Sequence, residues 1–197
     1  MEEDSGDELG ALVERARGGD EDAFSAVYTL VHPRVLRYLW TLVGDDAEDV
    51  ASEVWLQVAR DLGRFRGDGP GFRGWTATIA RNRAMDHLRG ARRRPATPTP
   101  VERLVDLAVS QDGAGTMAAT DAAIRLIALL PKDQADAVLL RVVLELDVAT
   151  AAKVLRKRTG AVSTCLYRGL RKLAEIVEKN DRNGVIEMRA PALKDAK

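Results

Sequence analysis

Apolar residues recur at intervals of three and four along most of this chain, and glycine or proline falls between segments of helical length rather than between short alternating runs. That spacing predicts an all-α protein. With 197 residues, 46% of them hydrophobic, the chain can build one medium core or two small ones. A first helix is expected over residues 8–17, closed by Gly18-Gly19. Asp20 or Asp22 then opens the next, in which Pro33 marks a join or kink before Gly44. Asp45 and Asp46 supply N-cap chemistry for a helix running to about Leu62, with Val50, Val54, Val58 and Leu62 on its core side. The glycine-rich segment 63–71 is a loop leading into a helix that Pro95 stops. Residues 98–100, the Pro-Thr-Pro that follows, favour a stiff connector with a short helix near 101–109 and a flexible Gln-Asp-Gly-Ala-Gly-Thr. Beyond it come helices over 118–130 and from Lys132 to about Leu146. A short helix, 148–155, capped by Asp147, a basic turn, and a long helix from Thr159 or Gly160 to about Lys179 complete the pattern. The expected units are therefore two small helical domains, 8–94 and 118–179, a Pro-containing linker, 95–117, and a polar tail, 180–197.

Lys+Arg and Asp+Glu balance at 30 each, so only the placement of charge is informative. Acidic residues crowd the first eight positions and again the stretch from Asp45 to Glu53, whereas basic residues gather in two later blocks. One cysteine, Cys165, excludes an intrachain disulfide, and two histidines, His32 and His87, make no cluster for a structural zinc, so no metal or other cofactor is implied. Cys165 reads as a small flanking residue rather than a redox switch. No run approaches the roughly 18 apolar residues of a membrane span, and the acidic start lacks an apolar signal core. Membrane insertion and export are not expected; a reducing cytoplasm fits.

Three surfaces stand out. Gly71 to Arg94 sets Trp75, Ile79, Ala80, Ala84 and Leu88 on one arc and arginines 73, 81, 83, 89, 92, 93 and 94 on the rest, with Asp86 the only acid among them. This is either a grip on a polyanion or a solvated cationic face. Asp46, Asp49, Glu53 and Gln57 line one face of the preceding helix at three- and four-residue spacing, which suits a basic partner or plain solvent. Paired carboxylates without a histidine or phosphate cradle do not make an enzyme site. The third surface is a short-helix, turn, long-helix unit with Lys153, Arg156, Lys157, Arg158, Arg168, Arg171 and Lys172 and no acid between them. Val162, Leu166, Leu170, Leu173 and Val177 fall on one arc of the long helix and Ala161, Thr164, Arg168 and Arg171 on the other. That is the layout of a helix-turn-helix, or of a helical hairpin with a basic surface.

Taken together, DDAEDVASEVWLQVARDLGRFRGDGPGFRGWTATIARNRAMDHLRGARRRP resembles region 2 of a bacterial RNA polymerase sigma factor of the extracytoplasmic-function type, within the sigma-70 family. The acidic helix matches at Asp49, Val50, Glu53 and Trp55, the loop at Phe65-Arg66-Gly67, and the following helix at Phe72, Trp75, Ile79, Ala80, Asn82, Asp86 and Arg89. LPKDQADAVLLR and GAVSTCLYRGLRKL resemble region 4. The resemblance implies a non-enzymatic promoter-specificity subunit whose partners are core RNA polymerase and promoter DNA, with an anti-sigma factor as a partner such proteins often have. It implies that Asp46, Asp49, Glu53 and Gln57 meet the clamp helices of the largest polymerase subunit. Arg66, Gly67, Asp68, Arg81, Asn82 and Arg89 would meet the opened minus-ten element, with Arg66, Gly67 and Asp68 as a base-pocket loop. Arg158, Ser163, Thr164, Tyr167, Arg168 and Arg171 would read the minus-35 duplex. Ser52, Thr150, Ala151, Arg156, Ser163 and Cys165 depart from the family pattern, Arg156 standing where a turn glycine is usual. The competing readings are a helix-turn-helix regulator acting without polymerase and a helical adaptor for acidic proteins; Asp49 and Glu53 beside the Phe-Arg-Gly loop disfavour both.

Overall fold

The computed structural model describes residues 2–93, 123 and 125–182, and among these there are helices and no strand. The linker, with its proposed short helix, and the tail beyond residue 182 lie outside the described residues. Helix α1 (Glu2–Arg17) begins six residues earlier than its apolar pattern suggests. Helix α2 (Glu21–Val43) is capped by Asp20, whose Oδ1 accepts the Ala23 N–H at 2.9 Å. It runs unbroken through Pro33, where a join or kink is expected. Thr29, four residues back, is exposed, so the carbonyl left without the proline donor stands beside solvent.

Helix α3 (Ala47–Asp61) follows a 3-10 turn, Gly44–Asp46, and Asp46 makes no capping hydrogen bond. Its carboxylate reaches His87 instead, so it contributes charge to the helix start without donor satisfaction. Val50, Val54 and Val58 face inward as their spacing requires. Helix α4 (Gly69–Arg93) starts inside the expected loop, because Asp68 Oδ1 accepts the Gly71 N–H at 2.7 Å and draws the glycines into a first turn. Its inner face is Phe72, Thr76, Ala77, Ile79, Ala80 and Ala84, with Trp75 and Leu88 only half-buried. Helices α2 and α4 pack on each other and each against both α1 and α3, around Val27, Val35, Tyr38 and Leu39 of α2.

In the second half, α5 (Lys132–Val138) does not continue to Leu146. It widens into a π turn, Leu139–Val143, in which Leu144 N–H reaches the Leu139 carbonyl at 3.1 Å. The reversal buries both Leu144 and Leu146, and Arg141 Nη1 donates to the Leu146 carbonyl. Helix α6 (Val148–Leu155) is capped by Asp147, which accepts the Thr150 N–H at 2.8 Å; a bond from the Thr150 hydroxyl, and after it this backbone bond, hold its carboxyl below the usual range. The turn at Arg156 has φ 53° and ψ 42°, after which α7 (Thr159–Arg182) packs along α5. Gly169 is buried there, and any Cβ on it would lie 2.9 Å from Val138 Cγ2.

The buried residues of both halves form one cluster. Helix α4 lies against α6, and α2 against the π turn.

Candidate nucleic-acid interface

Asp46 at the entry to α3 and Asp49 and Glu53 on it are exposed, and Gln57 is half-buried. Three of the four are laced to α4. His87 Nε2 lies 2.9 Å from Asp46 Oδ2, Arg83 Nε donates to Gln57 Oε1 at 3.0 Å, and Arg83 Nη1 stands 3.8 Å from Glu53 Oε2. Such exposed pairs contribute little stability, but they hold the acidic ridge at a defined place beside the basic helix. Leu56, 66% exposed on the same helix, is a contact candidate that charge patterning does not find.

The loop before α4 is built by its own candidate residues. Arg66 Nη1 donates to the carbonyls of Gly63 and Phe65, at 2.9 and 2.7 Å. Gly67 has φ 157°, and a Cβ there would meet the Phe65 ring at 2.9 Å, so this position admits only glycine without a shift of that ring. Phe65, Phe72 and Trp75 pack ring on ring beneath, with centroids 5.1–5.7 Å apart. Arg66, Gly67 and Asp68 stay exposed on this platform. Asn82 and Arg89 are exposed on α4, and Arg89 pairs with Asp86 at 2.8 Å. Arg81 differs. Its Nη2 is 3.1 Å from Asp136 Oδ2, with side chains 18% and 5% exposed. The acid that opposes the arginine helix is therefore not Asp86 alone. Asp136 shares an arc with Leu139 and Leu140, three and four residues on, and that carboxylate on an apolar stripe is the sequence signal that could have found it.

Arg158, just before α7, and Ser163, Thr164, Tyr167, Arg168 and Arg171 on it are all exposed, Tyr167 at 67%. Val162 is buried and Leu166 and Leu173 half-buried, but Leu170 and Val177 lie outside the core because α7 extends past α5 and Gly169 takes the closest approach. Arg171 Nε is shared with Glu175 at 3.0 Å. Lys157 in the turn pairs with Asp133 at 2.5 Å, which lowers the Asp133 carboxyl and raises the Lys157 ammonium. The turn is thus tied to α5 while the outer face of α7 is left open.

A helical body with an acidic ridge and a polar, arginine-edged helix, packed with a helix-turn-helix whose basic face is open, has the layout of a DNA-binding protein. Residues 27–94 match the family model of Sigma-70 region 2, and residues 120–173 that of Sigma-70, region 4. Over 191 residues the chain is 32% identical to the ECF RNA polymerase sigma factor ShbA of Streptomyces griseus, covering 91% of this chain and all of that protein. It is 34% identical to SigD of Mycobacterium tuberculosis (89% and 87% covered) and 36% identical to BldN of Streptomyces coelicolor (87% and 66% covered). The chain belongs to the extracytoplasmic-function sigma factors. It is an alternative sigma factor, which binds core RNA polymerase and directs promoter recognition. Members of this family are generally non-enzymatic initiation factors. In fold it is similar to CnrH solved with the cytosolic domain of CnrY (TM-score 0.62, 18% identity, 88% and 99% covered). It is likewise similar to RpoE of Bartonella quintana solved with the anti-sigma factor NepR (TM-score 0.60, 19% identity, 79% and 96% covered). Among the described residues no helix is long and apolar enough to cross a membrane.

Proposed function

We propose that residues 8–94 form the polymerase-binding and minus-ten-reading domain, residues 118–179 the minus-35-reading domain, with 95–117 as linker and 180–197 as tail. Asp46, Asp49, Glu53 and Gln57 meet the clamp helices of the largest subunit. Arg66, Gly67 and Asp68 cradle a flipped base through loop backbone, Asn82 and Arg81 contact the element as its specific readers, and Arg89 holds phosphate. Arg158, Ser163, Thr164, Tyr167, Arg168 and Arg171 enter the major groove. The protein works in the cytoplasm without chemistry of its own, and an anti-sigma protein is among its partners, as for the similarly folded RpoE.

The observation that carries this reading is that the α3 ridge and the Asn82 edge of α4 are both exposed on one packed helical body. Polymerase docking and strand reading can then occur together. The test is co-purification with core polymerase, followed by in vitro transcription from a promoter library. Association with core and transcripts sharing two spaced elements are expected. Duplex binding without core association would instead indicate a free-standing regulator, and failure of both an adaptor.

A further inference from the structure

Helix α4 is the arginine-rich element of the sequence, yet as far as Arg89 much of its charge is met inside the protein. Arg81 stands 3.1 Å from Asp136, Arg83 3.8 Å from Glu53 and Arg89 2.8 Å from Asp86, while Arg73 is half-buried. This part of α4 therefore offers a polyanion less free positive charge than its composition implies. Arg60 and Arg64 differ. Both are exposed, and among the described residues neither has an ion pair or a hydrogen bond. Arg60 stands in the last turn of α3, and Arg64 ends the 3-10 turn, Leu62–Arg64, that continues it, so the two lie one turn apart on the same side. Asp61, the acid between them in sequence, is half-buried.

These arginines border the loop proposed to hold a flipped base. Within that loop Arg66 is engaged by the carbonyls of Gly63 and Phe65, and Asp68 accepts the Gly71 N–H through Oδ1 only. The second carboxylate oxygen of Asp68 is exposed and repels phosphate, so the backbone on either side of a held base gains from cations close by that are not already engaged. Arg64 and Arg60 stand two and six residues before Arg66. The same pair suits a basic partner poorly. A cationic surface drawn to Asp49 and Glu53 meets like charge at Arg60, seven residues and about 10 Å further along α3 than Glu53. We propose that Arg60 and Arg64 form a phosphate-binding site for single-stranded DNA on the α3 side of the loop, an inference that rests on the minus-ten assignment above. The opened strand then crosses from α4 over residues 66–68 to the end of α3. Two guanidinium groups gripping phosphate oxygens add affinity and fix the path of the strand, while choice of sequence stays with the loop, Arg81 and Asn82.

The test uses holoenzyme assembled from the full chain and core polymerase. The probe is a fluorescent single-stranded minus-ten oligonucleotide from a promoter recovered by the transcription screen, titrated over a range of salt concentrations. Each single-strand phosphate contact adds about 0.7 to the slope of log affinity against log salt, so Arg60→Ala with Arg64→Ala should lower that slope by about 1.4 and each single variant by about 0.7. Arg60→Lys with Arg64→Lys keeps both charges and should keep the wild-type slope. Core association, minus-35 duplex binding and Tm should stay as in wild type. A wild-type slope in the double alanine variant would overturn the phosphate site, whether or not Tm falls; a fall would leave the arginines only a charge-dipole role at the end of α3. Loss of core association in that variant would also overturn it, by placing the pair on the polymerase. Failure of wild-type holoenzyme to bind the strand would remove the minus-ten assignment itself, and the site with it.

Discussion

Arg156 closes α6 in the left-handed region, φ 53° and ψ 42°, its N–H shared between the carbonyls of Ala152 and Lys153. A residue with a Cβ is held there against a steric cost of about 1–2 kcal/mol, which glycine escapes. Glycine in return gives the unfolded chain more freedom, worth about 0.5–1 kcal/mol. The Arg156 side chain is exposed and has no ion pair or hydrogen bond among the described residues, so little else is lost with it. Arg156→Gly should therefore stabilise the protein by about 0.5–1 kcal/mol. Glu145 also has positive φ, at 52°, but its pairing with Arg34 mixes strain relief with a lost contact, which makes Arg156 the cleaner site. The assay is urea unfolding followed by circular dichroism, where the midpoint should rise while the slope stays constant. An unchanged or lower midpoint at the same slope would refute the reasoning, because the turn would then carry no strain for glycine to relieve.

Gly169→Ala should destabilise the second half by about 1–2 kcal/mol, the overpacking against Val138 and Gln134 exceeding the gain in helix propensity; thermal unfolding reads it, and a rise in Tm would contradict the close α5–α7 approach. Asn82→Ala should leave stability and polymerase association intact, since Asn82 is exposed, yet reduce promoter opening as seen by permanganate reactivity; equal losses in both would count against its reading role. Arg168→Ala should lower the salt slope of minus-35 duplex binding by about one unit, and Arg171→Ala by less because Glu175 already shares that guanidinium. Identical slopes in wild type and Arg168→Ala would remove α7 from the DNA.

What the sequence by itself determined, among the described residues, is most of the helices, most of their caps and most of their faces. Asp20 and Asp147 cap where they stand in sequence, and Val50, Val54 and Val58 point inward, because capping and periodicity act over one or two turns and are written locally. The outer face of α7 was legible for the same reason: a basic arc opposite an apolar one survives any packing that buries the apolar side. The tertiary structure alone decided the rest. Asp46 leaves its helix end for His87, Arg83 braces Gln57, and the helix after Pro131 gives way to a π turn that buries Leu144 and Leu146 together. Above all, the partner of Arg81 lies 55 residues away, in the other half of the chain. Periodicity ranks a residue as inward or outward but does not say which remote carboxylate a guanidinium will meet. That choice depends on how α4 and α5 come together, and it turns one arginine of a uniform basic edge into a contact between the two halves.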